Sequence, residues 1–381
     1  MIYLDNAATS WPKPSIVHKS VAEALVRFGA NPGRGGHRMA METAERVYAC
    51  RETAAEFFGL KDPSNVIFTS NCTMALNMVI KGLLSDGGHA VISDMEHNSV
   101  VRPLTALAKY GVRYTMANVC EGNPKKTVEN FKAAICRDTR LLLCTHASNA
   151  FGTVLPIREL SALAHRFGLV FAVDAAQSAG HLPLHMEREG IDFLCVPGHK
   201  GLYGPMGTGM LLCKENVPIF PLLEGGTGTR SLETAQPEEF PERMESGTLN
   251  VPGICGLHAG LLWVKQHSVS LMEEYELSLI QRLYSLLANT PCVSLYTAWP
   301  RKGNNAALLS FNVKGKSSEE TAALLAEEGI AVRGGLHCAP CAHMHMQTLE
   351  GGTVRVSVSA FTTRCEVDEL HKMLIKISRK P

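Results

Sequence analysis

The chain has 381 residues, 45% of them hydrophobic, and a formal net charge of +1. That length exceeds what one hydrophobic core usually serves, so we expect two domains and a large buried core that needs no metal or disulfide for folding. The 37 basic and 36 acidic residues form no long block of one sign, which argues against nucleic acid and acidic membranes as partners. With no signal sequence and no apolar run near the roughly 20 residues of a membrane helix, the chain is predicted to be soluble and cytoplasmic.

Short apolar runs alternate with helix-length amphipathic segments between residues 64 and 213. The runs are residues 66–69, 90–93, 141–144, 169–173, 193–196 and 210–213. Apolar residues at helical spacing occupy 73–84, 99–110, 128–135 and 157–167. Because the runs are continuously apolar rather than alternating, both faces of each strand must be covered, which predicts an α/β domain with a mainly parallel sheet.

The second half of the chain has a different pattern. Residues 218–253 are rich in Pro, Gly and Glu and predict an irregular excursion. A long helix is predicted over 254–288, followed by a smaller α+β unit. Its predicted strands are 306–313, 330–333 and 354–358, and its predicted helices are 318–327 and 367–377.

Lys200 lies in a glycine-rich turn after the run 193–196, and Asp174 follows the run 169–173. A lysine that can lose its proton and a carboxylate at the carboxyl end of a central strand could hold pyridoxal 5'-phosphate (PLP) as a Schiff base with a protonated ring nitrogen. Alternatively, Lys200 is a solvated surface residue and Asp174 caps a following helix. Gln177 fits either a capping box or an amide that contacts a cofactor.

A phosphate group could bind at the N-terminus of the helix predicted after Asn71, where Cys72 and Thr73 offer backbone amides and a hydroxyl. Asn71 or Thr73 could equally be a simple N-cap. The chain has neither a Walker A motif nor a dinucleotide-binding fingerprint. His97 follows the run 90–93 and should reach the same edge of the sheet, although alone it would be an ordinary loop histidine.

Cys338 and Cys341 form the only close pair among twelve cysteines, the rest of which are typical of buried residues in a reducing compartment. The pair could bind metal or form a redox couple, but zinc usually draws four ligands, and no second Cys/His cluster exists, so we predict no metal. We interpret Cys338 as a reactive thiolate near Arg333 and His337. Arg355 suits a bidentate grip on a substrate carboxylate, with a salt bridge on a solvent face as the alternative.

Taken together, these motifs resemble the class V aminotransferase family, and within it the cysteine desulfurase and selenocysteine lyase branch. The resemblance runs from Tyr3-Leu4-Asp5-Asn6-Ala7-Ala8-Thr9 to the last predicted helix, with the motifs in matching order. It implies the PLP-dependent transferase type I fold, with a large α/β domain over residues 15–255 and a small α+β domain formed by 1–14 and 256–381. It also implies a homodimer with shared active sites.

The resemblance implies a role for each residue near the cofactor ring. Lys200 would carry the Schiff base, Asp174 would contact the ring nitrogen, and Gln177 would donate to the ring hydroxyl. His97 would stack on the ring, and Asn149 would approach the ring and the substrate from the side.

For the phosphate, the resemblance implies contacts from Cys72, Thr73 and His199, and from Thr248 of the second subunit. Many family members have a serine two residues before the histidine of the lysine motif. That position is Pro197 here, so the phosphate contacts must come from elsewhere.

We therefore predict a cysteine desulfurase that converts L-cysteine to L-alanine. Lys200 would move the α-proton, Cys338 would take the sulfur as a persulfide, His97 would donate or accept a proton, and Arg355 would bind the substrate carboxylate. The loop after Cys338 departs from that of better-known desulfurases. L-Selenocysteine as substrate, slow sulfur or selenium delivery and simple transamination therefore stay open, and a sulfur-acceptor protein is a possible partner.

Overall fold

The structure is a computed structural model that describes residues 1–33, 35–215 and 217–379. The strands are β1 (Ile2–Tyr3), β2 (Val66–Thr69), β3 (Gly88–Ser93), β4 (Val112–Ala117), β5 (Thr139–Thr145), β6 (Val170–Asp174), β7 (Phe193–Pro197), β8 (Gly209–Cys213), β9 (Val293–Leu295), β10 (Leu308–Val313), β11 (Ile330–Ala331) and β12 (Val354–Ser357). The helices are α1 (Ser15–Arg27), α2 (Arg38–Phe58), α3 (Cys72–Leu84), α4 (Asn98–Leu107), α5 (Pro124–Ala134), α6 (Ile157–Arg166), α7 (Met186–Glu189), α8 (Val251–His267), α9 (Val269–Ala288), α10 (Ser318–Glu327), α11 (Pro340–His345) and α12 (Arg364–Ser378).

The large sheet has the strand order β2-β8-β7-β6-β5-β3-β4, and only β8 runs antiparallel to its neighbours. The prediction of a mainly parallel sheet is confirmed, and each of its six predicted strands lies within two residues of an observed one. Strand β4, which lies at the edge of the sheet, was not predicted. Its side chains are mostly exposed or half-buried between Val112 and Ala117, so it has no continuous apolar run.

Both faces of the large sheet are covered, as the apolar runs predicted. Along β5, Leu142 packs into one apolar cluster, whereas Leu141 and Leu143 pack into the cluster on the opposite face. This alternation follows from the two-residue period of a strand. Because the strands of this buried sheet are mostly parallel, their carboxyl ends lie together on one side of it.

The helices near the middle of the chain differ from the prediction in one respect. The single helix predicted over 254–288 is observed as two helices, α8 and α9, which meet at Ser268 with φ 63°. The prediction of an irregular excursion is confirmed, because the described residues between 217 and 250 contain neither helix nor strand. Glu245 anchors this excursion to α2 through a buried ion pair with Arg51 at 2.5 Å.

The C-terminal part forms an antiparallel sheet of the order β12-β10-β9, packed with α9, α10 and α12. The N-terminal strand joins this part, because Ile2 pairs with Ile330 and Asp5 bridges to Ser357. Leu4 accordingly belongs to the C-terminal apolar cluster. The described residues include no helix long and apolar enough to span a membrane.

Candidate active site

A cavity opens where the parallel strands of the large sheet end. Loops after β2, β3, β5, β6 and β7 form its wall, which is the usual position of a ligand site in an open α/β sheet. Eight of the predicted site residues line it, namely Cys72, Thr73, His97, Asn149, Asp174, Gln177, His199 and Lys200. The other lining residues are Asn71, Leu76, Ser99, Thr145, Ala176 and Pro197.

Asp174 is the last residue of β6, and its side chain is buried. Its Oδ1 accepts hydrogen bonds from the Ala176 amide at 2.8 Å and the Cys72 thiol at 3.4 Å. No helix begins until Met186, so the alternative that Asp174 caps a following helix is wrong. Gln177 likewise caps no helix, and its Nε2 donates to the carbonyl of Ala7 at 3.1 Å.

Lys200 lies in the turn that follows β7, and its carbonyl accepts from the Tyr203 amide and the Ser10 hydroxyl, both at 2.8 Å. Burial, then the charge of Arg355, lowers the pKa of Lys200 from 10.5 to about 8, against the opposing effect of Asp174. The alternative of a solvated surface lysine is therefore wrong. A substantial fraction of this amine is neutral near physiological pH.

The lysine turn rests directly on a neighbouring backbone segment. A Cβ atom at Gly201 would lie 2.3 Å from the Ala179 carbonyl oxygen, and one at Gly180, where φ is +84°, would lie 2.2 Å from the Gly201 oxygen. Only glycine allows both approaches. The position of Lys200 is thus fixed by backbone packing.

The N-terminal segment braces the same turn, which the sequence analysis missed. The side chains of Thr9, Ser10 and Lys13 donate to the carbonyl of His199 at 3.1, 3.2 and 2.6 Å. Burial lowers the pKa of Lys13 to about 8. Because these contacts join residues nearly 190 positions apart, no local pattern in the sequence predicts them.

One side of the cavity is suited to an anion. Asn71 caps α3 by accepting from the Met74 amide at 2.8 Å, which confirms its N-cap role, and Thr73 lies in the first turn. His199 has a buried Nδ1 with no hydrogen-bond partner among the described residues, and burial lowers its pKa to about 4. Free helix amides, hydroxyls and an unpartnered imidazole nitrogen fit the phosphate of a small cofactor.

His97 caps α4 from the loop that follows β3. Its Nδ1 accepts from the Ser99 amide at 3.0 Å and lies 2.8 Å from the Ser99 hydroxyl. Burial lowers the pKa of His97, and the charge of Lys200 lowers it further. The imidazole is therefore neutral at physiological pH.

Cys338 is exposed and does not line the cavity. Its loop is nevertheless tied to the cavity wall, because its carbonyl accepts from the Asn98 amide at 2.8 Å and the His337 carbonyl accepts from Asn149 Nδ2 at 2.6 Å. Burial, then the charge of Arg355, lowers the pKa of His337 to about 2. His337 is thus a neutral neighbour of the thiol, and positive charge near Cys338 comes from arginine.

Arg355 is almost completely buried on β12, so the alternative of a salt bridge on a solvent face is wrong. Its guanidinium donates to the Asn149 carbonyl at 2.8 Å and to Asp5 at 2.9 Å, while its Nε is buried with no partner among the described residues.

Thr248 is exposed and accepts from Asn31 at 3.3 Å. Within one chain, neither Arg355 nor Thr248 lines the cavity.

Glu96 is a buried residue beside the cavity that the sequence pattern did not predict. Its carboxylate accepts from the Thr145 amide at 2.8 Å and from the Ser93 hydroxyl, so it links the ends of β3 and β5. Burial raises its pKa to about 8. A glutamate next to a loop histidine reads as a surface residue, and only the contact with β5 reveals its burial.

The described residues contain no group of three or more His, Cys, Asp or Glu side chains that could hold a metal ion. None of the cysteines, including Cys338 and Cys341, is in a disulfide. Lys200 and Asp174 line one cavity, an arrangement that fits an organic cofactor.

The chain is similar in sequence to several known proteins. The sequence model of the aminotransferase class-V family matches residues 2–370. A probable cysteine desulfurase of Methanothermobacter thermautotrophicus is 33% identical, over 99% of this chain and 94% of its own length. A cysteine desulfurase of Escherichia coli is 33% identical, over 100% of this chain and 94% of its own length.

A solved structure extends the comparison to the fold. The apo structure of a cysteine desulfurase from Thermococcus onnurineus superposes with a TM-score of 0.92 at 31% sequence identity, covering 100% of this chain and 95% of the other. The type I fold expected for PLP-dependent transferases is thereby confirmed. The chain belongs to the aminotransferase class-V family.

Proposed function

We propose that this protein is a PLP-dependent cysteine desulfurase that converts L-cysteine to L-alanine and retains the sulfur on Cys338 as a persulfide. The observation that carries the proposal is the placement of Lys200, whose pKa is about 8, and buried Asp174 in one cavity. The exposed thiol of Cys338 lies on a loop fastened to the wall of that cavity. The relatives named as cysteine desulfurases support the same reaction.

The residues that line the cavity would hold PLP from several sides. Lys200 would bind it covalently, Asp174 would accept from its ring nitrogen, and Thr73 and His199 would contact its phosphate. His97 would face the ring. Bound PLP would supply an electron sink for an amino acid that has lost its α-proton.

The chain's own groups would then carry the proton and sulfur transfers. The neutral amine of Lys200 is suited to take the α-proton of the substrate. The sulfur of Cys338 would attack the substrate sulfur, so that an S–S bond forms as the C–S bond breaks and the electron pair stays with the carbon that becomes the methyl group of alanine.

The substrate carboxylate requires a cation near the Cys338 loop. Arg355 is the proposed partner, although two of its nitrogens already donate to Asn149 and Asp5. Asn149 Nδ2 would orient the substrate through the same loop. Arg333 bridges to the Arg355 backbone and adds positive charge, since it lowers the pKa of both Lys200 and His97.

The test measures alanine and protein-bound persulfide after the PLP-loaded protein is mixed with L-cysteine. We expect Cys338→Ala to lose persulfide and to form alanine at least 100-fold more slowly, because removal of a nucleophile typically costs that much or more. Cys365→Ala removes an exposed cysteine from α12 and is the matched control. Undiminished alanine formation by Cys338→Ala, or release of a keto acid by the unaltered protein, would contradict the proposal.

The same assay with L-selenocysteine addresses the alternative substrate. A selenocysteine lyase would eliminate selenium without needing the thiol, so its turnover would survive in Cys338→Ala. If only selenocysteine gives alanine and Cys338→Ala retains that activity, the assignment of L-cysteine as substrate is wrong.

We further propose a homodimer in which Thr248 contacts the phosphate bound by the partner subunit. The chain exposes apolar side chains that a partner subunit would cover, including Leu25, Val26, Met39, Met41, Phe220, Leu223 and Leu232. Light scattering on the unaltered protein and on Val26→Glu measures the mass. A monomeric unaltered protein would refute the dimer. The exposed Cys338 would also be open to a sulfur-acceptor protein.

A further inference from the structure

The hydrogen bonds of His97 determine which of its ring nitrogens carries the proton. The amide of Ser99 donates to Nδ1 at 3.0 Å. A backbone N–H can only donate, so Nδ1 must present its lone pair to Ser99. The neutral imidazole therefore carries its proton on Nε2.

This arrangement opposes proton exchange through Nε2. A histidine that gives up its Nε2 proton must afterwards carry a proton on Nδ1. A histidine that takes a proton at Nε2 must carry one on Nδ1 beforehand. A proton on Nδ1 would face the Ser99 amide, donor against donor. His97 thus needs a second group at Nδ1 before it can act as an acid or a base.

The Ser99 hydroxyl is placed to be that group. Its Oγ lies 2.8 Å from His97 Nδ1 and 2.8 Å from the Thr73 hydroxyl. Each hydroxyl can donate one hydrogen bond and accept others. Ser99 and Thr73 both line the cavity. The hydrogen-bonded path from His97 Nδ1 through the two hydroxyls therefore ends at the cavity, where a lost proton can be replaced.

We propose that Ser99 is a positioning residue that resets the tautomer of His97 during the desulfurase reaction, and this inference rests on the function proposed above. As Nε2 gives its proton to a substrate atom, Ser99 gives its hydroxyl proton to Nδ1. Thr73 gives its proton to Ser99 Oγ, and a proton from the cavity side of Thr73 replaces it. One proton enters and one leaves, the ring stays neutral, and no bond between heavier atoms changes.

The charged groups around His97 favour this neutral exchange. Burial lowers the pKa of His97, as do the charges of Lys200, Arg333 and Arg102, whereas Asp174 alone raises it. Forming an imidazolium is therefore costly at this position. Moving a proton through the ring without charging it avoids that cost.

Ser99→Ala isolates the hydroxyl, because the amide that fixes the resting tautomer is retained. Ser99 is buried in the first turn of α4, and we expect its exchange for alanine to leave the helix intact. Ser99→Thr keeps a hydroxyl and serves as the rescue variant. Ser285→Ala removes an exposed serine from α9 and is the matched control.

The first measurement is an NMR titration of ¹⁵N-histidine in the PLP-loaded protein, with the His97 signal assigned from its absence in His97→Asn. We expect the proton on Nε2 at rest in every Ser99 variant. Ser99→Ala should lower the pKa of His97 by about one further unit, because the imidazolium loses its only acceptor at Nδ1. Ser99→Thr should restore it.

The second measurement is alanine formation from L-cysteine across pH. Ser99→Ala should reduce kcat at least tenfold with KM and PLP affinity within about twofold, and Ser99→Thr should recover most of the rate. An unchanged titration together with an unchanged kcat in Ser99→Ala would overturn the inference. If the unaltered protein makes no alanine, the proposed function fails, whereas the NMR titration still decides the role of the Ser99 hydroxyl.

Discussion

The lowered pKa of Lys200 predicts how the apoprotein takes up PLP. Only the neutral amine attacks an aldehyde. With a pKa of about 8, about one chain in ten presents that amine at pH 7, against roughly one in 3,000 for a lysine at its ordinary value. The uptake rate should therefore rise about tenfold per pH unit below pH 8 and become constant above it.

Arg333→Met tests the electrostatic part of this effect. The charge of Arg333 contributes to the lowered pKa of Lys200, after burial and Arg355, so its removal should raise that pKa. A rise of about half a unit would slow uptake at pH 7 roughly threefold. Arg166→Met, which removes an exposed arginine at the end of α6, is the matched control.

The assay is stopped-flow absorbance of the apoprotein mixed with PLP between pH 6 and 10. In Arg333→Met the midpoint of the pH dependence of PLP uptake should shift to higher pH, and the constant rate reached at high pH should be unchanged. A midpoint near pH 10 in the unaltered protein would refute the reasoning, because it would mean that neither burial nor arginine acts on Lys200.

Two further predictions concern the framework of the site. Arg51→Met should lower the free energy of unfolding by about 3–5 kcal/mol, because Glu245 is left as a buried unpaired carboxylate, and adding Glu245→Gln should restore part of it in urea titrations. An unchanged midpoint would contradict this. Gly201→Ala should weaken PLP binding at least tenfold, since its Cβ would lie 2.3 Å from the Ala179 oxygen, whereas Gly29→Ala, in open space, should bind normally. Equal affinities would contradict it.

The fold was predictable where hydrophobic pattern alone decides the structure. The six apolar runs matched six strands because a strand covered on both faces needs apolar residues throughout. The edge strand β4 was not predicted, because most of its residues are exposed or half-buried. The break at Ser268 was not predicted, because α8 and α9 both have a helical hydrophobic pattern. A single residue at positive φ does not change that pattern.

The position of the site was predictable from the topology of the sheet. Parallel strands end at one edge, so His97, Asp174 and Lys200 converge there although they are far apart in sequence. Glu96 and Ser99 were missed, because their contacts cross from β3 to β5 and from α4 to α3. Such contacts depend on which elements become neighbours, which local pattern does not encode.

The chemistry of Lys200 depends on both ends of the chain. Arg355, from the C-terminal sheet, is held by Asp5 near the N-terminus and lowers the pKa of Lys200. Ser10 and Lys13 fasten the same turn through its carbonyls. A change that loosens the N-terminal segment would therefore move the Lys200 turn and reduce the positive charge beside it together. The low pKa of Lys200 therefore depends partly on how the N-terminal and C-terminal parts pack beside its turn.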